Sequence, residues 1–111
     1  MKISHQDYGT VSVLTLSGEY TADDVDRFAR TVTERLAAQV KDLVLDCEHL
    51  EFVDSAGLES WMRAVDQTAE RRGQVRLVKV DATVAKILEI TRLDRTFESH
   101  DSLEAAVRSL R

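Results

Sequence analysis

The sequence predicts an α/β fold: a mixed β-sheet, made of an N-terminal hairpin and parallel strands, flanked by about four helices. Segments that alternate apolar and polar residues take turns with segments whose apolar residues recur every three or four positions. The 111 residues, 43% of them hydrophobic, are enough for a single domain spanning residues 1–111 with its own core. Strands that alternate with helices need crossover connections, and these give a largely parallel sheet.

The hairpin is predicted at the N-terminus. Residues 2–8 form a weak first strand, and a turn at residues 9–10 leads into residues 11–16, which alternate as a strand should. All four glycines of the chain are expected at turns, so Gly18 is expected to end this second strand.

The first helix is predicted over residues 22–39. Thr21 and Asp24 have the spacing of a capping box, which marks the start of a helix. The apolar residues that follow recur at intervals of three and four, as on one face of an amphipathic helix. They are Val25, Phe28, Ala29, Val32 and Leu36.

The middle of the chain combines a buried strand with a second helix. Residues 43–47 are apolar enough for a buried strand, and the run continues to residues 52–53. The helical stripe that follows consists of Leu58, Trp61, Met62, Val65 and Ala69. Because Trp61 and Met62 point about 100 degrees apart on a helix, we expect one of them to be partly exposed.

After the second helix the alternation of strands and helices continues. Gly73 follows two arginines, as is typical of a helix C-terminus. Residues 75–80 form the next strand, and Asp81 caps a third helix. Phe97 marks a short last strand, and Asp101 opens a fourth helix.

The composition excludes several classes of function. With 15 basic and 20 acidic residues the net charge is −5, which argues against a nucleic-acid partner and against direct contact with an acidic membrane surface. No stretch approaches the ~20 apolar residues of a membrane span, and the first residues do not resemble a signal peptide. Cys47 is the single cysteine, which suits a reducing compartment. We therefore expect a cytoplasmic protein.

The segment Asp54-Ser55-Ala56-Gly57 stands where the third strand gives way to the second helix. In a parallel sheet this is the strand end at which ligands usually bind. Two interpretations remain open. The side chain of Asp54 or Ser55 can cap the helix by accepting a backbone N–H. Alternatively, the free N–H groups and the dipole of the first turn favour an anion, and the hydroxyl is a phosphorylation target.

No other group of residues predicts a cofactor or a metal. The three histidines and Cys47 lack the spacing of a metal site. The chain contains neither a P-loop nor a G-x-G-x-x-G motif. A Ser-His-Asp set around Ser55 would lack the G-x-S-x-G turn that exposes such a nucleophile. We therefore expect no cofactor, no bound metal and no enzymatic activity.

The motif and its flanks resemble a known family. The segment LVLDCEHLEFVDSAGLESW is similar to the central signature of STAS domains, in particular of bacterial anti-sigma factor antagonists. LTLSGEYTADDVDRF resembles the strand-Gly-Glu-helix opening of that family, and RRGQVRLVKVDATVAKILEITRLDRTFESHDSLEAAV resembles its C-terminal half. The resemblance covers nearly the whole chain and implies a STAS-like mixed sheet flanked by helices.

The resemblance also implies a function. In these antagonists the serine after the aspartate is phosphorylated by the partner anti-sigma factor, a serine kinase of the histidine-kinase-like ATPase type. The unphosphorylated form binds that partner and frees its sigma factor, and a PP2C-type phosphatase restores it. Carried over to this sequence, the phosphoacceptor is Ser55. The partner-binding residues are then Thr21, Asp54, Ser55, Ala56, Gly57, Leu58 and Glu59.

The sequence departs from the family pattern in two respects. The first loop of the family often reads Gly-Glu-Leu-Asp, whereas this sequence has Gly18-Glu19-Tyr20-Thr21, so Thr21 stands in place of the aspartate. Glu59 and Trp61 stand where small or aliphatic residues are common. Ala56, after the acceptor, leaves Ser55 as the single hydroxyl of the motif. An alternative within the same family is a STAS subunit that docks on the ATPase of a phospholipid ABC transport system without a phosphoswitch.

Overall fold

Residues 1–110 are described by the computed structural model, and they form five strands and four α-helices. The strands are β1 (Lys2–Tyr8), β2 (Val11–Tyr20), β3 (Asp42–Val53), β4 (Val75–Val78) and β5 (Ser99–His100). The helices are α1 (Val25–Ala37), α2 (Ser55–Ala69), α3 (Ala82–Ile90) and α4 (Leu103–Ser109). The strands lie side by side in sequence order, with β1 antiparallel to β2 and the other neighbours parallel. The predicted α/β fold with a mixed sheet is confirmed.

Helices cover both faces of the sheet. The larger core lies on one face, where Phe28 of α1, Trp61 of α2 and Val84 of α3 are fully buried. α4 covers part of the other face, where Ala106 packs in a smaller cluster with Val44 of β3. The first half of β3 is therefore buried on both faces, as expected of a central parallel strand.

The second strand and the first helix have different ends from those predicted. Gly18 lies inside β2, with a φ of +89° beside a shift in the pairing with β3, and the strand continues to Tyr20. The expectation that Gly18 ends the strand is wrong, because glycine also fits an irregularity within a strand. A 3₁₀ turn at Ala22–Asp24 precedes α1, which ends at Ala37.

The buried face of α2 includes Trp61 but not Met62. The Trp61 side chain is 0% exposed, whereas Met62 is 43% exposed. The expectation that one of these two neighbours is partly exposed is confirmed. Ala69 is exposed, so the predicted stripe is wrong at Ala69. The hydroxyl of Thr68, which is buried on this face, donates to the Ala64 carbonyl at 2.7 Å, and this bond permits a polar residue there.

The loop after α2 has a glycine at a position where a side chain would not fit. Arg72, not Gly73, adopts the left-handed conformation, with a φ of 62°. A side chain at Gly73 would overlap the carbonyl oxygen of Lys41. α2 ends at Ala69, so the two arginines lie beyond its last turn and the prediction that they end the helix just before Gly73 is wrong. Gly73 lets this loop pass close to the segment that leads into β3.

In the C-terminal half the order of elements is as predicted, but several ends differ. β4 stops at Val78, and Asp81 caps α3 as expected by accepting a backbone N–H at 2.9 Å. Phe97 is a buried core residue, and the last strand follows it at β5. Ser102, not Asp101, caps α4, because its hydroxyl accepts a backbone N–H of the first turn at 3.1 Å.

Candidate functional site

Three helical segments begin at the same edge of the sheet. The parallel strands β2, β3 and β4 end at this edge, and the 3₁₀ turn, α2 and α3 follow them in turn. The N-cap residues of the three segments are Thr21, Asp54 and Asp81. The predicted motif therefore lies in the middle of the edge at which ligands of parallel sheets usually bind.

Asp54 joins two of these segments through one carboxylate. Its Oδ1 accepts the N–H of Gly57 in the first turn of α2 at 2.8 Å. Its Oδ2 accepts the N–H of Ala22 in the 3₁₀ turn at 3.0 Å. Its backbone N–H donates to the Tyr20 carbonyl at 3.0 Å. Asp54 is thus the N-cap of α2 and also the link between that helix and the segment after β2.

Ser55 is the first residue of α2, and its side chain is exposed. Because Asp54 supplies the cap, the helix does not need the Ser55 hydroxyl for this purpose. Of the two interpretations of the motif, capping therefore applies to Asp54. The Ser55 hydroxyl faces solvent at a helix N-terminus, where the dipole favours an anion by about 0.3–1 kcal/mol.

The three residues after Ser55 lie progressively deeper in the protein. Ala56 is half-buried, whereas Gly57 and Leu58 are buried. A Cβ atom at Gly57 would lie 2.6 Å from the Tyr20 ring and 2.7 Å from the Val53 side chain. Gly57 therefore permits the close approach of the helix to the strands. Gly57 and Leu58 support the site from within and offer little side-chain surface.

The exposed face of α2 continues the surface around Ser55. Glu59 and Met62 follow Ser55 by four and seven residues, which places all three on one side of the helix. Met62 is 43% exposed, so this surface combines a hydroxyl, a carboxylate and one apolar side chain. Phe52, near the end of β3, is 40% exposed as well, but it alternates with Val53, which packs against α2 at Gly57. The Phe52 side chain therefore belongs to the other face of the sheet.

Thr21 lies at the same edge and is half-buried. Its backbone N–H donates to the Asp24 carboxylate at 3.0 Å, and Arg27 pairs with the same carboxylate at 3.1 Å. The Thr21 N–H, more than any other group, holds the pKa of Asp24 below its usual range. The bond from Ala22 to Asp54 connects this turn with the motif.

A buried tyrosine and a buried serine lie under the first turn of α2. The Tyr20 ring meets the rings of Phe28 and Trp61 edge to face, at centroid distances of 5.5 and 6.1 Å. Its hydroxyl is hydrogen bonded to Ser60 Oγ, and Ser60 Oγ donates to the Gly57 carbonyl at 2.6 Å. Burial raises the pKa of the Tyr20 phenol, so the group stays neutral under ordinary conditions.

Sequence reasoning missed this pair. The two hydroxyl groups belong to residues 40 positions apart, and no spacing rule relates one strand end to one helix position. The available signal was Tyr20 itself, which stands where the first loop of the family often has leucine. A polar atom placed at a buried position requires a hydrogen-bond partner, and Ser60 provides it.

The polar groups at this edge are hydroxyls, carboxylates and backbone N–H groups. Within residues 1–110 no cluster of three or more histidine, cysteine or acidic side chains is arranged to hold a metal ion. Cys47 is buried, and burial raises the pKa of its thiol. None of the helices in the described part of the chain has the length and apolar character needed to cross a membrane.

Several solved structures share this fold. A proposed anti-sigma factor antagonist from Thermotoga maritima matches with a TM-score of 0.89 and 21% identity, over 98% of this chain and 94% of that one. An anti-sigma factor antagonist from Mycobacterium paratuberculosis matches with a TM-score of 0.86 and 24% identity, over 99% of this chain and 93% of that one. The unphosphorylated antagonist SpoIIAA matches with a TM-score of 0.84 and 19% identity, over 97% of this chain and 96% of that one. The phosphorylated form of SpoIIAA, from Bacillus, matches with a TM-score of 0.76 and 18% identity, over 99% of this chain and all of that one.

At these identities the solved structures establish a common fold. No sequence of a curated protein matches the chain. The family model of the STAS domain, by contrast, matches residues 2–106, which is nearly the whole sequence. The chain therefore belongs to the STAS domain family.

Proposed function

We propose that this STAS domain is an anti-sigma factor antagonist switched by phosphorylation of Ser55. One observation carries the proposal: Ser55 presents an exposed hydroxyl at the start of α2, while the Asp54 side chain caps that helix. The hydroxyl can thus be modified without the loss of a capping bond. The fold shared with anti-sigma factor antagonists, one of them solved in a phosphorylated form, supports the same function.

A phosphate on Ser55 changes the charge of the contact surface by about −1.5 to −2. Asp54 precedes it and Glu59 lies one helical turn away, so two carboxylates adjoin the added charge. The α2 dipole offsets only about 0.3–1 kcal/mol. A partner that buries Ser55 leaves the dianion unpaired, at a cost of several kcal/mol. Since ~1.4 kcal/mol is tenfold in affinity, we expect phosphorylation to weaken binding on the order of a thousandfold.

The proposed partner is an anti-sigma factor of the histidine-kinase-like ATPase type, which binds the unphosphorylated form and phosphorylates Ser55. A PP2C-type phosphatase reverses the modification. The antagonist is not itself an enzyme in this account, and it acts in the cytoplasm. Its contact surface consists of Thr21, Asp54, Ser55, Glu59 and Met62. Because Ser55 is exposed, the phosphate displaces no buried side chain, and the switch changes the surface and not the fold.

The alternative function, a STAS subunit on the ATPase of a phospholipid transport system, requires no modified residue. That function makes no use of the exposed Ser55 hydroxyl, so the site favours the function of an antagonist switched by phosphorylation.

The proposal is tested by a phosphorylation assay with the histidine-kinase-like ATPase encoded nearest to this protein's gene. ATP labelled at the γ-phosphate is supplied, and the modified residue is mapped by mass spectrometry. We expect label on Ser55 in the wild type and in Ser102→Ala, which lacks a capping hydroxyl at a distant helix. We expect no label in Ser55→Ala. An unlabelled wild type, or label on another residue, would contradict the proposal.

A further inference from the structure

The first turn of α2 is held from inside by a chain of two buried hydroxyls. Ser60 Oγ has one proton and donates it to the Gly57 carbonyl at 2.6 Å. The Tyr20 hydroxyl must therefore be the donor in its hydrogen bond with Ser60. The side chain of Tyr20 is 0% exposed and that of Ser60 is 3% exposed, so water does not compete for these bonds.

Tyr20 reaches the motif on both sides of Ser55. Before Ser55, the carbonyl of Tyr20 accepts the backbone N–H of Asp54 at 3.0 Å. After Ser55, the Tyr20 ring lies against Gly57, where an added Cβ would come within 2.6 Å of it. The hydroxyl chain then fixes the Gly57 carbonyl through Ser60. The backbone on either side of Ser55 is thus held by one residue: by the Tyr20 carbonyl before Ser55, and by the Tyr20 ring and hydroxyl after it.

We propose that Tyr20 and Ser60 are positioning residues that set the orientation of Ser55 for phosphoryl transfer; this inference rests on the proposed function. In the transfer, Ser55 Oγ forms a bond to the γ-phosphorus of ATP and the bond from that phosphorus to the β-phosphate oxygen breaks. ADP leaves, and the hydroxyl proton passes to a base of the kinase. The reaction requires Oγ in line with the leaving oxygen, and a displacement of about 1 Å can cost a hundredfold in rate.

Tyr20 stands where the first loop of the family often has leucine. A leucine offers no hydroxyl to Ser60, so the serine at this position would have a single partner. The tyrosine adds a second bond and removes rotational freedom from the serine. We expect the loss of this restriction to lower the rate of the chemical step and to leave the affinity for the kinase unchanged.

The experiment compares Tyr20→Phe, Ser60→Ala and the double variant with the wild type. Each is phosphorylated by the kinase-like ATPase that modifies the wild type, and kcat and KM are measured beside denaturant unfolding. Thr68→Val is the matched control, since it removes a buried hydroxyl near the far end of the same helix. Ser60→Ala leaves the buried Tyr20 hydroxyl without an acceptor, whereas in Tyr20→Phe the Ser60 hydroxyl keeps its bond to the Gly57 carbonyl. Loss of both hydroxyls is nearly neutral for stability.

We expect kcat to fall about tenfold in Tyr20→Phe and Ser60→Ala with KM unchanged, and to remain low in the double variant although its stability recovers. Thr68→Val should keep the wild-type kcat. A double variant that regains both stability and kcat, or single variants with the wild-type kcat, would overturn the positioning role and leave the proposed function intact. A wild type without label on Ser55 would overturn the proposed function itself.

Discussion

Asp54 and Ser55 are adjacent residues with similar preferences for helix N-termini, yet they occupy different positions. Asp54 accepts two backbone N–H groups, one from its own helix and one from Ala22, 32 residues earlier in the chain, whereas Ser55 is exposed. The order of the two residues matters, because the cap must precede the first helical residue. A serine in the first helical position is therefore available for chemistry that a capping serine could not undergo without cost to the helix.

The double role of Asp54 predicts an unusually large effect of its removal. Asp54→Ala loses the bonds to Gly57 and Ala22, so we expect a cost of about 2 kcal/mol in the free energy of unfolding. Asp81→Ala is the matched control, because Asp81 caps α3 through one bond, and it should cost about 1 kcal/mol. Denaturant unfolding measures both. Equal costs would show that the bond to Ala22 contributes nothing.

Trp61 and Met62 are neighbours that should respond oppositely to truncation. Trp61 is fully buried, so Trp61→Ala should destabilise the protein by about 3–5 kcal/mol. Met62 is 43% exposed beside Ser55, so Met62→Ala should change stability by less than about 0.5 kcal/mol but weaken partner binding. Chemical melts and a binding titration separate the two effects. A neutral Trp61→Ala would refute the buried position of its side chain.

At the scale of the elements, the Asp24 carboxylate of the 3₁₀ turn before α1 makes the stability of the fold depend on pH under acidic conditions. The Thr21 N–H lowers the pKa of Asp24 in the folded state relative to the unfolded chain. A lowered pKa stabilises the fold above the unfolded value of about 4, and this contribution is lost as the pH falls through the folded value.

Asp24→Asn keeps an acceptor for the Thr21 N–H and has no charge to titrate. We therefore expect the wild type to lose more stability than Asp24→Asn as the pH falls below about 4. Unfolding in denaturant at a series of pH values tests this, with the difference between the two proteins as the measured quantity. Parallel pH profiles would mean that the Asp24 carboxylate does not stabilise the turn.

The periodicity of apolar residues was sufficient to predict the order of strands and helices, because burial on one face leaves a repeat of two or about 3.6 residues. It was insufficient at the ends of elements. Gly18 fits a turn and an irregularity within a strand equally well, and the structure has the second. Asp101 and Ser102 are both good caps, and Ser102 caps α4 in the structure. Such choices depend on contacts that are distant in the sequence.

The candidate site likewise has a part that the local sequence pattern predicts and a part that depends on contacts distant in the sequence. The position of Asp54-Ser55 at a strand end follows from local pattern, since a strand stops and a helix begins there. The bond from Ala22 to Asp54 and the pair of Tyr20 and Ser60 join residues 32 and 40 positions apart. No local pattern encodes those partners, although most buried polar side-chain atoms have one.

At the scale of the whole molecule, phosphorylation is expected to alter recognition while the fold stays the same. The sheet and the helices on both its faces are built from apolar side chains that the phosphate does not reach. Variants of Ser55 should therefore melt within about 1 kcal/mol of the wild type, since Asp54 retains the cap. Their differences should lie in binding.

The most direct measurement is a calorimetric titration of the kinase-like ATPase with the wild type, Ser55→Ala and Ser55→Asp. We expect Ser55→Ala to bind as tightly as the unphosphorylated wild type, and Ser55→Asp to bind at least about tenfold more weakly because of its added charge. Melting curves of all three proteins serve as the control for folding. Equal affinities for the three proteins would contradict the phosphorylation switch at Ser55.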